Sequence, residues 1–202
     1  MADGLLGRPA TPSLVATFRA FSQEVDPQLR SLGVIGLIEH GAPDALALVP
    51  QDAQALKQLA LRAELAGAIR NLRDTSAVTV VTLGQLATAD DVAYGIRLAA
   101  AEALRGIHTK DCLAFLAVLL DSPDAELRNR AFGGFSMFVS NLPVYSSATV
   151  PGFSWVVPQG PAPHRTPTTD QHAGQLGVPL DRHSEYSAFW KQWWSQTKDQ
   201  LK

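Results

Sequence analysis

The sequence predicts an all-α protein: an α-solenoid of about four helix pairs, followed by a long Pro-rich loop and a C-terminal aromatic capping helix. Three observations carry this reading. A pattern centred on arginine recurs at a near-constant period through residues 13–141, prolines crowd into 142–183, and an aromatic stripe at helical spacing lies within 184–202.

In each copy of the pattern a large aliphatic residue precedes the arginine, and a small and then a large apolar residue follow about six and seven positions on. It reads Leu29-Arg30 with Gly36 and Leu37, Leu61-Arg62 with Ala68 and Ile69, Ile96-Arg97 with Ala103 and Leu104, and Leu127-Arg128 with Gly134 and Phe135. Arg30, Arg62, Arg97 and Arg128 stand 32, 35 and 31 residues apart, a spacing typical of stacked supersecondary units. Three copies add a small residue at offset three: Gly33, Ala100 and Ala131. Offsets of three, six and seven return to one helix face. Small residues there admit a neighbouring helix closely and the large one fills its groove. Gly36, Ala103 and Gly134 are therefore expected at equivalent buried contacts.

Each copy is preceded by a shorter apolar segment, clearest in Cys112, Leu113, Leu116, Leu119 and Leu120, which follow the stripe of an amphipathic helix. Asp26-Pro27 and Ser122-Pro123 each offer a capping side chain followed by proline, the order of a helix start. For the second copy only Pro43–Val49 offers a first helix. In the third it is Ala77–Leu83, where the run Val78-Thr-Val-Val-Thr82 has strand propensity but the period requires a helix. The unit is a helix pair. One pair cannot bury its apolar face alone, so four in tandem imply a stacked array, with the loop and last helix completing a single compact domain.

Asp26-Pro-Gln-Leu-Arg30, Ala99-Ala-Ala-Glu-Ala-Leu104 and Asp124-Ala-Glu-Leu-Arg128-Asn-Arg-Ala131 resemble the second helices of HEAT-like repeats. Glu185-Tyr-Ser-Ala-Phe-Trp190-Lys-Gln-Trp-Trp194 is similar to the closing segment of bacterial HEAT-like proteins without an established function. The resemblance implies a bacterial binding scaffold and brings no catalytic residue with it.

The connection 142–183 far exceeds the usual loop of about 4 to 6 residues. Its Phe153 and Trp155 are expected to pack on the array, with a lid or partner-binding strap as the functional alternative. Tyr186, Phe189, Trp190, Trp193 and Trp194 share one helical face. A basic polar face would mark a membrane-surface helix, but Lys191 and Lys198 are balanced by Glu185 and Asp199. The stripe is thus expected to seal the array.

The 202 residues are 46% hydrophobic and 18% charged, with 17 basic against 19 acidic side chains and a formal charge of −2. No excess of base exists to seek phosphate, so nucleic acid is not an expected partner. Cys112, alone of its type, cannot form an intrachain disulfide or a cysteine-rich zinc cluster. No run approaches the roughly 20 apolar residues of a membrane span, and Met1–Ala10 lacks the order of a secretory signal, though a signal could already have been removed. A soluble chain without membrane partner is expected.

His40, His108, His164, His172 and His183 form no metal-binding spacing, and phosphate loop, nucleophile elbow and dinucleotide fingerprint are missing. His108, Asp111 and Cys112 lie near one helix start, but Cys112 begins an apolar stripe and reads as a core thiol rather than a nucleophile. The recurring arginines invite phosphate binding, yet arginines in repeat arrays commonly bridge units through aspartate or backbone carbonyls. The reading is therefore of a non-enzymatic scaffold for a protein or peptide, without catalytic residues, cofactor or metal. Its rival is a HEAT-like base glycosylase, which calls for a basic groove, aromatic residues and a carboxylate at a lesion pocket.

Overall fold

The computed structural model describes Leu6 and residues 8–49, 59–140, 178 and 180–201. Among these the protein is all-helical, with eight α-helices and no strand. They are α1 Pro12–Phe21, α2 Pro27–Glu39, α3 Leu59–Arg70, α4 Ala77–Thr88, α5 Tyr94–Ile107, α6 Lys110–Leu119, α7 Ala125–Ser140 and α8 His183–Thr197. Short 3-10 helices cover Pro43–Leu48 and Leu180–Arg182. The chain forms two compact units, Met1–Ala103 and Leu104–Lys202, with α5 running through the division.

Helix starts follow side-chain chemistry. Asp26 caps α2, its carboxylate accepting from the backbone N–H of Gln28 at 2.7 Å and Leu29 at 3.3 Å, with Pro27 in the first turn. The valine-rich segment of the third copy is helical, as its period required. Ser76 caps α4, and Asp74 accepts from both the Ser76 and Thr79 hydroxyls, so satisfied N-terminal donors outweigh the weak helix propensity of Val78, Val80 and Val81. The two proline starts are not alike. Helix α7 opens at Ala125 with Asp124 accepting from the Leu127 N–H at 2.9 Å, while Ser122 accepts from the Asp124 N–H at 3.2 Å and Pro123 stays outside the helix. Asp124 can reach the third N–H of the helix, and Ser122, two residues earlier, braces the cap instead. In the second copy Pro43–Leu48 folds as a 3-10 helix, too short and tight for an α-helical first member.

In the first unit, α1 packs on α2, α2 on α3, and the Pro43–Leu48 turn on α2 and α4. The core is drawn from Phe18, Val34, Ile35, Leu37, Leu46, Leu65, Ile69 and Leu83, all buried. Helices α1 and α2 approach closely because a Cβ at Gly33 would strike the backbone of Phe18 and Ser22, and one at Gly36 the ring of Phe18. In the second unit α6 packs on α7, and α8 lies against both. There a Cβ at Gly134 would strike the Leu116 side chain. Phe18 and Leu116 each stand 18 residues before the glycine they meet, so the first and fourth copies repeat one contact. Ala103 and its large neighbour Leu104 are wholly buried too.

No helix among the described residues is long and apolar enough to cross a membrane. The expected packing of Phe153 and Trp155 lies outside the described residues, as do His164 and His172. The segment given to the loop ends in structure: Leu180–Arg182 is a 3-10 turn and His183 already belongs to α8.

Candidate functional site

Two of the repeat arginines, Arg97 and Arg128, close turns. From α5, Arg97 pairs with Asp90 at 3.2 Å and points Nε at the Ala87 carbonyl, 3.5 Å away, in the last turn of α4. From α7, Arg128 donates to the carbonyls of Ser122 at 2.6 Å and Pro123 at 2.9 Å, in the turn after α6. In both cases a guanidinium from the second helix holds the bend that precedes it, a structural use of its fixed donor fork. The side chain of Arg62 lies outside what the structure describes.

Cys112 is enclosed near the start of α6, where the Thr109 hydroxyl donates to its sulfur at 3.2 Å. Burial pushes its thiol above the ordinary cysteine value. Such a thiol stays protonated at neutral pH and is a poor nucleophile. His108 adopts left-handed backbone geometry, φ 62°, where α5 turns into α6, and its ring lies 5.5 Å from that of Phe138. Among the described residues no group of three or more His, Cys, Asp and Glu side chains is placed to hold a metal ion.

The aromatic face of α8 meets α7. Trp190 stacks on Phe135 with ring centres 5.4 Å apart, Trp193 and Trp194 approach Phe135 edge-on at 5.9 and 6.0 Å, and Tyr186 leans on Phe132 at 5.5 Å. Tyr186 and Trp190 are fully buried, whereas Phe189, Trp193 and Trp194 are half-buried. The helix is tied down along its length: Ser187 donates to the Leu120 carbonyl at 2.9 Å, Lys191 pairs with Asp121, and Lys110 donates to the Leu201 carbonyl at 2.6 Å.

At the start of α8 lies a polar latch that the sequence did not announce. His183 Nδ1 accepts from Arg128 Nε at 3.0 Å, and since a guanidinium only donates, His183 Nε2 carries the proton and donates to the Val178 carbonyl at 2.7 Å. Asn129 accepts from the Val178 N–H at 2.8 Å. His183, tested in the sequence only as a metal ligand, thus fixes the chain where it re-enters the helical body. The edge of its ring meets Phe132 at 5.3 Å.

Among the described residues, a concave site lies in the first unit. It is a cleft of about 390 Å³ between α2 and α3, lined by Ile38, Glu39, Glu64, Gly67, Ala68, Asn71 and Leu72. Its size falls at the lower end of ligand clefts. Glu64, Gly67, Ala68 and Asn71 are spaced i, i+3, i+4 and i+7, so they share one face running off the end of α3. Ile38, Ala68 and Leu72 are buried and make an apolar floor, while Glu39, Glu64 and Asn71 are exposed on the rim. A Cβ at Gly67 would meet nothing within 4 Å, so that position leaves the cleft open. Among the described residues neither Glu39 nor Glu64 forms an ion pair. The small and polar face of α3 is visible in the sequence; that Glu39 of α2 faces it is not, because the pairing spans a chain reversal.

No family model matches the chain, and no curated protein or solved structure matches it either.

Proposed function

We propose that the chain is a non-enzymatic helical-repeat scaffold of HEAT-like, bacterial type, a solenoid of helix pairs whose end α8 seals, and that it binds a protein or peptide. The observation that carries this reading is the repeated fit of a glycine into the preceding helix, Gly36 against Phe18 and Gly134 against Leu116. One contact reused in the first and fourth copies is the mark of a fold built from units, and such folds present extended faces to partners. The turn-closing arginines and the protonated, enclosed Cys112 support a structural rather than chemical use of the residues that most resembled a site. A formal charge of −2 supports a protein partner over the polyanionic backbone of nucleic acid.

Selection from a display library of short random peptides on the immobilised full chain, paired with a salt titration of duplex DNA, tests the reading. Enrichment of a peptide motif with about micromolar affinity and no salt-steep DNA binding is the expected result. Submicromolar DNA binding that weakens steeply with salt would replace it with the glycosylase reading.

A further inference from the structure

We propose that the α2/α3 cleft receives a lysine or arginine side chain of the partner peptide, a reading that rests on the scaffold function and names the chemistry of one contact. The cleft has the two parts such a side chain needs. Its floor of Ile38, Ala68 and Leu72 suits the aliphatic stem of a long cationic residue, which packs along apolar surface while its charged head stays at the rim. At the rim stand Glu39 and Glu64, two carboxylates without an ion-pair partner among the described residues, and the amide of Asn71 adds a neutral acceptor.

The helix fields act in the same direction. Glu39 is the last residue of α2, and Asn71 directly follows α3, so both helices direct their C-terminal, partially negative ends toward the cleft. The described basic residues at the end of α3 are Arg70 and Arg73. Arg73 turns its guanidinium onto the carbonyls of Arg70 at 3.0 Å and Leu72 at 2.6 Å, capping α3, and neither arginine lines the cleft. An anion is disfavoured by the two carboxylates. A purely apolar side chain would cover Glu39 and Glu64 without satisfying them.

The test follows the backbone amide signals of Ile38, Gly67 and Asn71 by NMR in the full chain. The probes are N-acetyl-arginine, N-acetyl-lysine and N-acetyl-norleucine, each as its methylamide. The two cationic probes should shift the three amides saturably in the millimolar range, norleucine should not, and the double variant Glu39→Gln, Glu64→Gln should weaken the effect about tenfold at an unchanged melting temperature. Equal shifts with norleucine, or a double variant that titrates like the parent, overturn the proposal. The peptide selection, repeated on the double variant, separates this proposal from the scaffold reading. A motif without basic residues that binds parent and variant equally sinks the cleft assignment and leaves the scaffold standing. Failure to select any peptide, with the arginine titration intact, does the reverse.

Discussion

Arg128 of the fourth copy donates from Nε to Nδ1 of His183, the first residue of α8, at 3.0 Å. Through that bond a residue of the repeat pattern reaches the C-terminal helix, and through His183 Nε2 it also fixes Val178. His183→Ala would strand the Arg128 Nε–H and the buried Val178 carbonyl and open space beside Phe132. It should cost about 2 to 4 kcal/mol, read from urea unfolding. Arg128→Ala should be less than additive with it, because the two share one bond. Full additivity in the double variant would show that the bond contributes nothing to stability.

The glycines of α2 and α3 should respond in opposite directions. Gly33→Ala drives a methyl into the backbone of Phe18 and Ser22, which has no rotamer to yield, and should destabilise by about 1 to 3 kcal/mol. Gly67→Ala adds a methyl to open space within a helix and should stabilise by about 0.5 to 1 kcal/mol through the lost freedom of the unfolded chain. Thermal melts of the two single variants check the pair; a neutral Gly33→Ala would mean that α1 and α2 can separate without loss.

Much of the architecture was legible because helices announce themselves locally. The offsets that placed Gly36 and Gly134 on buried faces need only the register of one helix, and the regular recurrence of the unit required α4 to be helical against its valines. What escaped were relations between segments. The shared cleft of Glu39 with Glu64 and Asn71, and the bond of His183 with Arg128, join residues tens of positions apart, and no composition or spacing encodes such a meeting. Ser122-Pro123 misled for a local reason: two neighbouring residues, Ser122 and Asp124, can each cap, and the one that reaches the helix N–H groups wins.

Asp74 sets an acid limit on the first unit. The hydroxyls of Ser76 and Thr79 donate to its carboxylate and hold its pKa below the ordinary aspartate value. A group with a lowered folded pKa adds stability above its unfolded pKa and loses that contribution as pH falls through the folded value. Asp74→Ala should therefore lower stability at pH 7, by about 1 kcal/mol for the lost charged hydrogen bonds at a partly exposed site. The difference from the parent should shrink as pH drops below the carboxylate range. Melts across pH 2 to 7 decide the matter, and a difference that stays constant with pH would remove the carboxylate charge from the account.

The C-terminal helix should be indispensable to the second unit. Trp190 and Tyr186 are fully buried against Phe135 and Phe132, and removing a side chain of this size from a packed site costs about 3 to 5 kcal/mol. Two such losses approach the whole net stability of a small domain, about 5 to 15 kcal/mol. Deleting residues 184–202 should therefore yield an aggregating or much less stable protein with Phe132 and Phe135 uncovered. The intact chain should show blue-shifted tryptophan emission, since three of its four tryptophans lie on α8 and Trp190 is shut away from water. If the helix instead served an external membrane or glycan, the truncated chain would melt like the parent and the parent's emission would lie to the red until liposomes or glycans were added. A truncation without loss of stability would therefore move the aromatic stripe from the core to the list of binding surfaces.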